Sequence, residues 1–307
     1  MALDLTLPPV HIETAFLQRA ILHTVAYADV FDYPLTGREI HRYLTGIKAS
    51  FEEVSEALKD EDFCNGQIVR VGDYFTLSGR EEIVETRLRR KSASKCGWKE
   101  ANFYGRILAS LPFVRMVAVT GSLAMENMDA QADIDYFIVT SSGRLWTCRL
   151  MSLLIVHLAR LMKVNLCPNS MVSENALALK DISLYAAHEL AQMVPLYGTD
   201  IYGELRRLNL WADRYLPNAQ NAPESHIDVK PARWKYVLEI VLTRLPLQQV
   251  EVWEMNRKLA KLSRGQSQNP EAVFSADVCK GHMDRHGQRV EIALERRLAG
   301  LGARVDP

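Results

Sequence analysis

The sequence predicts a mixed α/β (α+β) protein in three parts, and three observations carry that reading. Residues 117–139 hold two apolar runs on either side of a Gly-containing turn, a pattern of strand, turn, helix start and strand. Residues 36–77 hold two helix-start signals followed by a β-hairpin pattern. Beyond Lys180 the apolar residues recur at helical spacing to the end of the chain. The expected parts are 1–92, 93–180 and 181–307.

At 307 residues the chain can bury two or three separate cores. Its 37 basic and 37 acidic residues cancel, so no global field draws it toward nucleic acid or an anionic surface. The five cysteines, Cys64, Cys96, Cys148, Cys167 and Cys279, are scattered without a Cys-x-x-Cys pair. That usage fits reduced thiols in a cytoplasmic protein and gives no zinc or disulfide framework. Residues 1–9 carry an acid and two prolines, so no signal peptide is expected. The longest apolar region, 150–162, is interrupted by His157 and Arg160 and is too short to span a bilayer, so no membrane partner is expected.

Taken in order, residues 13–27 form a first helix that Asp32-Tyr33-Pro34 ends. Thr36-Gly37-Arg38-Glu39 and Ser50-Phe51-Glu52-Glu53 are capping boxes opening two further helices. Residues 68–71 and 74–77, joined by Gly72-Asp73, read as the hairpin. The stretch 81–99 is the most basic in the chain, with Arg87, Arg89, Arg90, Lys91, Lys95 and Lys99. It reads either as a solvated connecting helix or as a positive rim guiding a polyanion. A helix over 102–110 precedes the strand 116–119, which runs into Thr120-Gly121-Ser122. Gly at a strand end lets the backbone turn tightly and approach a ligand closely. Asp133-Ile134-Asp135 then opens a second strand whose two-residue period puts both carboxylates on one face. Adjacent acids repel unless a cation joins them, which points to Mg²⁺ (or Mn²⁺) carrying a nucleoside triphosphate. Residues 144–162 form a helix, 170–173 a strand, and helices capped by Asp181 and Asp200 follow. Residues 218–230 read as a linker. Trp234, Val237, Leu238, Val241, Leu242 and Leu245 make an amphipathic stripe, Pro246 breaks it, and Val290, Leu294 and Leu298 mark a last helix.

The order of a hydrophobic residue, Gly121-Ser122, ten intervening residues and Asp133-Ile134-Asp135 resembles the nucleotidyltransferase superfamily of DNA polymerase β type, over residues 102–179. The resemblance implies a small mixed sheet and a metal-dependent nucleotidyltransferase. Such an enzyme moves a nucleoside monophosphate from an NTP to an acceptor, here a small molecule, RNA or protein, and releases pyrophosphate. It implies that Gly121 and Ser122 hold the β and γ phosphates and that Asp133 and Asp135 coordinate the metal. The family's third carboxylate would stand on a neighbouring strand. Residues 170–173 offer none, and the nearest acid is Glu174. Arg149, one turn into the following helix, is a candidate phosphate contact. Met125 and Glu126 replace the small or basic residues often found after Gly-Ser.

Three helices followed by a hairpin resemble a winged helix-turn-helix domain. The helix that would enter the groove, 50–60, carries Glu52, Glu53, Glu56 and Asp60 against Lys59, so DNA contact is disfavoured and a protein-contact role is expected. Two alternatives stay open: a non-catalytic nucleotide-binding sensor, motivated by the missing third acid, and a winged-helix DNA-binding regulator. Tyr185 and Trp211 read as core aromatics, and His282 with His286 as a polar helix face rather than a metal pair.

Overall fold

The computed structural model describes residues 14–60, 63, 66–223, 229–263, 273–281 and 286–301. Cys64 and His282 lie outside the described residues, and so does the reading of His282 with His286 as a polar helix face.

The first unit contains α1 (Thr14–Asp29), β1 (Leu35–Thr36), α2 (Gly37–Arg42), α3 (Phe51–Ala57), β2 (Ile68–Val71) and β3 (Tyr74–Leu77). Both capping boxes form. The Thr36 and Ser50 hydroxyls accept the Glu39 and Glu53 N–H groups, and each Glu reaches back to its cap. Gly72 turns the hairpin at φ +62°, and β1 adds to β3 to complete a three-stranded antiparallel sheet. Ile21, Ile40, Leu44, Val54 and Ile68 are fully buried between these elements. The last helix of the chain joins the same core through Val290, Leu294 and Leu298.

The basic stretch and the helix expected at 102–110 are one 27-residue helix, α4 (Ile83–Ala109). Several of its cations are engaged by neighbours rather than forming an open rim. Arg87 is buried, bonds Glu39 at 2.7 Å and lies 3.6 Å from the centre of the Tyr33 ring. Arg90 bonds the Phe31 carbonyl at 3.1 Å and pairs with Asp129.

The remaining elements are β4 (Val114–Thr120), α5 (Gly121–Ala124), β5 (Ile134–Thr140), α6 (Leu145–Leu161), β6 (Leu166–Ser173), α7 (Leu184–Gln192), β7 (Val194–Tyr197), α8 (Thr199–Leu208), α9 (Ala212–Tyr215), α10 (Trp234–Thr243), α11 (Leu247–Ser263), β8 (Val273–Phe274), β9 (Val278–Lys280) and α12 (His286–Gly300). They build a six-stranded mixed sheet in the order β7-β4-β5-β6-β9-β8, in which β5 and β6 run parallel and every other neighbour pair is antiparallel. Alternation along β5 sends Ile134, Tyr136 and Ile138 into the layer of α4 and α6. Phe137 and Val139 go into the opposite layer, where α7, α8 and α9 pack.

The chain after Lys180 is helical as expected in α7 to α12, but 194–197, 273–274 and 278–280 run as strands. Pro195 is tolerated because β7 is an edge strand, where an absent N–H breaks no ladder. Ser183, not Asp181, caps α7, its hydroxyl accepting the Ala186 N–H at 3.1 Å, while Asp181 pairs with Lys280 at 3.0 Å. Gly198, not Asp200, opens α8; its φ is +76°, and a Cβ there would lie 2.1 Å from the Arg115 carbonyl oxygen. Among the described residues no helix is long and apolar enough to cross a membrane.

One expectation is inverted. The apolar stripe of α10 faces outward: Trp234, Val237, Leu238, Val241 and Leu245 are exposed, and of that stripe Leu242 packs against the core. The inward positions are polar. Lys235 is fully buried, with its Nζ donating to the carbonyls of Ala109 and Val114 at 3.0 and 2.5 Å. Glu239 accepts from the Phe113 N–H at 2.7 Å and pairs with Arg115. On α11, Glu251 accepts the Trp146 and Thr147 N–H groups at 2.9 and 2.7 Å, capping α6 from outside its own sequence. Backbone groups left open at the start of β4, the Phe113 N–H and the Ala109 and Val114 carbonyls, and at the start of α6 set which face turns in, because leaving them unpaired costs more than exposing aliphatic surface.

Candidate functional site

Antiparallel pairing places Thr120 opposite Asp135, so Gly121 leaves β4 at the point where the Asp135 carboxylate stands. Gly121 has φ +66°, and a Cβ built on it would lie 2.6 Å from Asp135 Oδ2. Glycine is required twice over at this position, for the left-handed backbone and for the carboxylate pressed against it. The structure thus brings Gly121, Ser122 and Asp135 together at one end of the sheet. Asp133 is exposed and precedes β5 by one residue, close enough for its charge to act on Asp135. No side chain caps α5, so the N–H groups opening the turn have no Ser or Thr hydroxyl as partner.

The next strand presents no acid here. Parallel pairing sets Cys167 beside Asp135, and the Cys167 thiol hydrogen-bonds that carboxylate. Burial and the two aspartates push the thiol up to about 12, so it stands as a neutral donor. Glu174 is seven positions further along, at the far end of β6, roughly 20 Å away at ordinary strand rise. There it lines a separate cavity of about 380 Å³ with Arg115, Tyr197, Gly198, Asp200 and Lys230. Arg149 is likewise held elsewhere: it pairs with the fully buried Glu254 and hydrogen-bonds Cys279. The structure does not bring Glu174 or Arg149 to Gly121 and Asp135.

The acid that does reach this end is Glu189, on α7. That helix lies in the layer toward which odd-numbered residues of β5 point, and it touches α5. Glu189 accepts a hydrogen bond from Tyr185 and has the Lys280 ammonium and the Asp181 carboxylate nearby. Burial, then the charges of Glu189 and Asp133, push the Asp135 carboxyl from its ordinary 3.8 up to about 7, against the Cys167 bond, which works the other way. Burial also raises Glu189. No local motif announces Glu189; its one signal is an acid in the otherwise apolar and neutral run of α7.

The turn is fastened from the first unit. The Tyr33 hydroxyl donates to the Met125 carbonyl at 2.8 Å, the Tyr43 hydroxyl contacts Met125 Sδ at 3.5 Å, and the Asn127 amide donates to the Phe31 carbonyl at 3.1 Å. Met125 therefore serves as a packing residue between the two units, which accounts for an apolar side chain directly after the turn. Glu126, at φ +52°, pairs with Lys91.

Among the described residues no group of three or more His, Cys, Asp or Glu is placed to hold a metal ion unaided. Asp133 and Asp135 form a pair of acids whose ionised forms repel, with one of them held partly protonated near neutral pH, and such a pair gains by sharing a cation. Comparison with protein-family models, with curated proteins and with solved structures finds no match to the chain.

Proposed function

We propose that the protein is a metal-dependent nucleotidyltransferase, moving a nucleoside monophosphate from an NTP to an acceptor with loss of pyrophosphate. The observation that carries this reading is the contact of the Asp135 carboxylate with the Gly121 turn, which sets a phosphate-sized turn and an acidic pair side by side. In this reading Gly121 and Ser122 seat the terminal phosphates through backbone N–H groups and the Ser122 hydroxyl. Asp133 and Asp135 hold Mg²⁺, which neutralises charge at the reacting phosphorus when bound. One or two protein carboxylates are enough for Mg²⁺ that arrives with substrate phosphates. Glu189 is the third acid, placed to accept the proton of the attacking hydroxyl. The succession α4-β4-α5-β5-α6-β6, with β4 antiparallel and β6 parallel to β5, supports a nucleotidyltransferase fold. The order α1-β1-α2-α3-β2-β3 supports a winged-helix unit. The exposed Glu52, Glu53 and Glu56 on α3 favour a protein-contact role for that unit over DNA reading.

The test is pyrophosphate release from each of the four NTPs with Mg²⁺ and cell extract as acceptor source, beside Asp135→Asn. Release with one NTP that the variant loses supports the transferase. A second reading rests on Cys167 standing where a strand acid would complete the site: Mg²⁺-dependent NTP binding without release would make the protein a nucleotide sensor.

A further inference from the structure

More than half of the large apolar side chains exposed among the described residues belong to three neighbouring helices, α6, α10 and α11, at 37–69% exposure. These helices share one side of the sheet. α11 packs along α6, and Leu242, Val250 and Met255 turn inward to the core beneath. Lys235, Glu239 and Cys148 all attach to the segment 112–114. On α6, Leu154, Leu158 and Leu161 form one stripe at helical spacing, and α10 presents Trp234, Val237 and Ile240 in the same way. At roughly 100 Å² for each half-exposed large side chain, the apolar surface exceeds the few hundred Å² that monomers ordinarily leave open.

Among the described residues the charge on this face is of one sign. Residues 141–173 contain no Asp or Glu, and the acids on α10 and α11 that are described, Glu239, Glu251 and Glu254, are turned inward onto Arg115, the start of α6, and Arg149. Arg160, Lys163, Arg233 and Arg244 remain exposed, while Arg257 is tied to Glu254. A second copy docked face to face would set arginines against arginines. A surface that is apolar in depth and anionic at its edge satisfies both features at once. We infer that α6, α10 and α11 lie on an acidic phospholipid surface, with Trp234 and Trp253 at headgroup depth and the arginines on the phosphates. No crossing segment is needed for this, only helices lying in the interface.

The full chain is tested by flotation with phosphatidylcholine vesicles with and without phosphatidylglycerol. Binding to the acidic vesicles alone, weakening with salt, is the expected result. Val237→Glu with Ile240→Glu, both far out of the core, should lower partitioning at least about tenfold, and Arg233→Ala with Arg244→Ala should do the same while leaving the apolar face intact. Far-ultraviolet circular dichroism checks that each variant folds. Absence of binding to acidic vesicles, or equal binding to neutral ones, overturns the inference. So does a dimer of the parent protein that the Glu variant converts to a monomer, because a second copy then covers this face.

Discussion

Neutralising Asp135 should stabilise the protein. Its carboxyl is raised from 3.8 to about 7 in the folded chain. An acid whose folded pKa lies above its unfolded value holds its proton more tightly when folded, so it costs stability as pH rises through that window and the cost levels off above it. Three pH units correspond to about 4 kcal/mol, and partial contact with solvent lowers this to the order of 2–4 kcal/mol near pH 8. Asp135→Asn keeps the shape and removes the charge. In EDTA, urea unfolding at about pH 8 should therefore give the variant the higher midpoint, and the gap should shrink to about 1 kcal/mol near pH 4.5. Adding Mg²⁺ should then raise the parent and leave the variant unchanged. A variant less stable than the parent at pH 8 without cation would refute the reasoning, since Asp135 would then be a structural acid.

Gly121→Ala should cost about 1–2 kcal/mol from its positive φ and displace the Asp135 carboxylate, abolishing Mg²⁺-dependent NTP binding measured by calorimetry. Glu189→Gln should leave NTP affinity within a few-fold while slowing pyrophosphate release about a hundredfold; an unchanged rate would remove Glu189 from the chemistry. Arg149→Ala should act on the fold instead. It should lower stability by about 2 kcal/mol by leaving Glu254 with Arg257 as its partner, and NTP binding should persist. Loss of NTP affinity in a folded Arg149→Ala would return that arginine to the phosphates.

What the sequence made legible was local. Thr36 with Glu39, Ser50 with Glu53, and Gly72 each specify a cap or turn within four residues, and all three form as read. Gly121 and Asp135 are adjacent strands' ends joined by a short loop, so their meeting could be foreseen from pattern alone. What escaped was set at long range. β9 pairs with β6 across more than a hundred residues, and nothing in 278–280 distinguishes a strand from a turn. The α10 stripe has the period of a core helix, yet Lys235 and Glu239 have partners on β4 that hold the other face down. Glu189 reaches Asp135 from a different element, where no fixed spacing leads to it. The basic run on α4 misled in the opposite direction, because Glu39 and Asp129 lie outside any local window.

The packing of α12 against α1 has a consequence for synthesis. Asp29, buried on α1, bonds Arg297 at 2.5 Å and also Arg80, while Val290, Leu294 and Leu298 fill the core beside Ile21 and Val25. A chain emerging from the ribosome amino end first makes α1, both capped helices and the hairpin early, but those elements lack one wall until the last helix arrives. The same unit clasps the Gly121 turn through Tyr33 and Asn127. Final closure of the site therefore waits on residues roughly 170 positions downstream of Gly121, and a nascent chain still lacking α12 should be open to proteases at α1 and inert toward nucleotide.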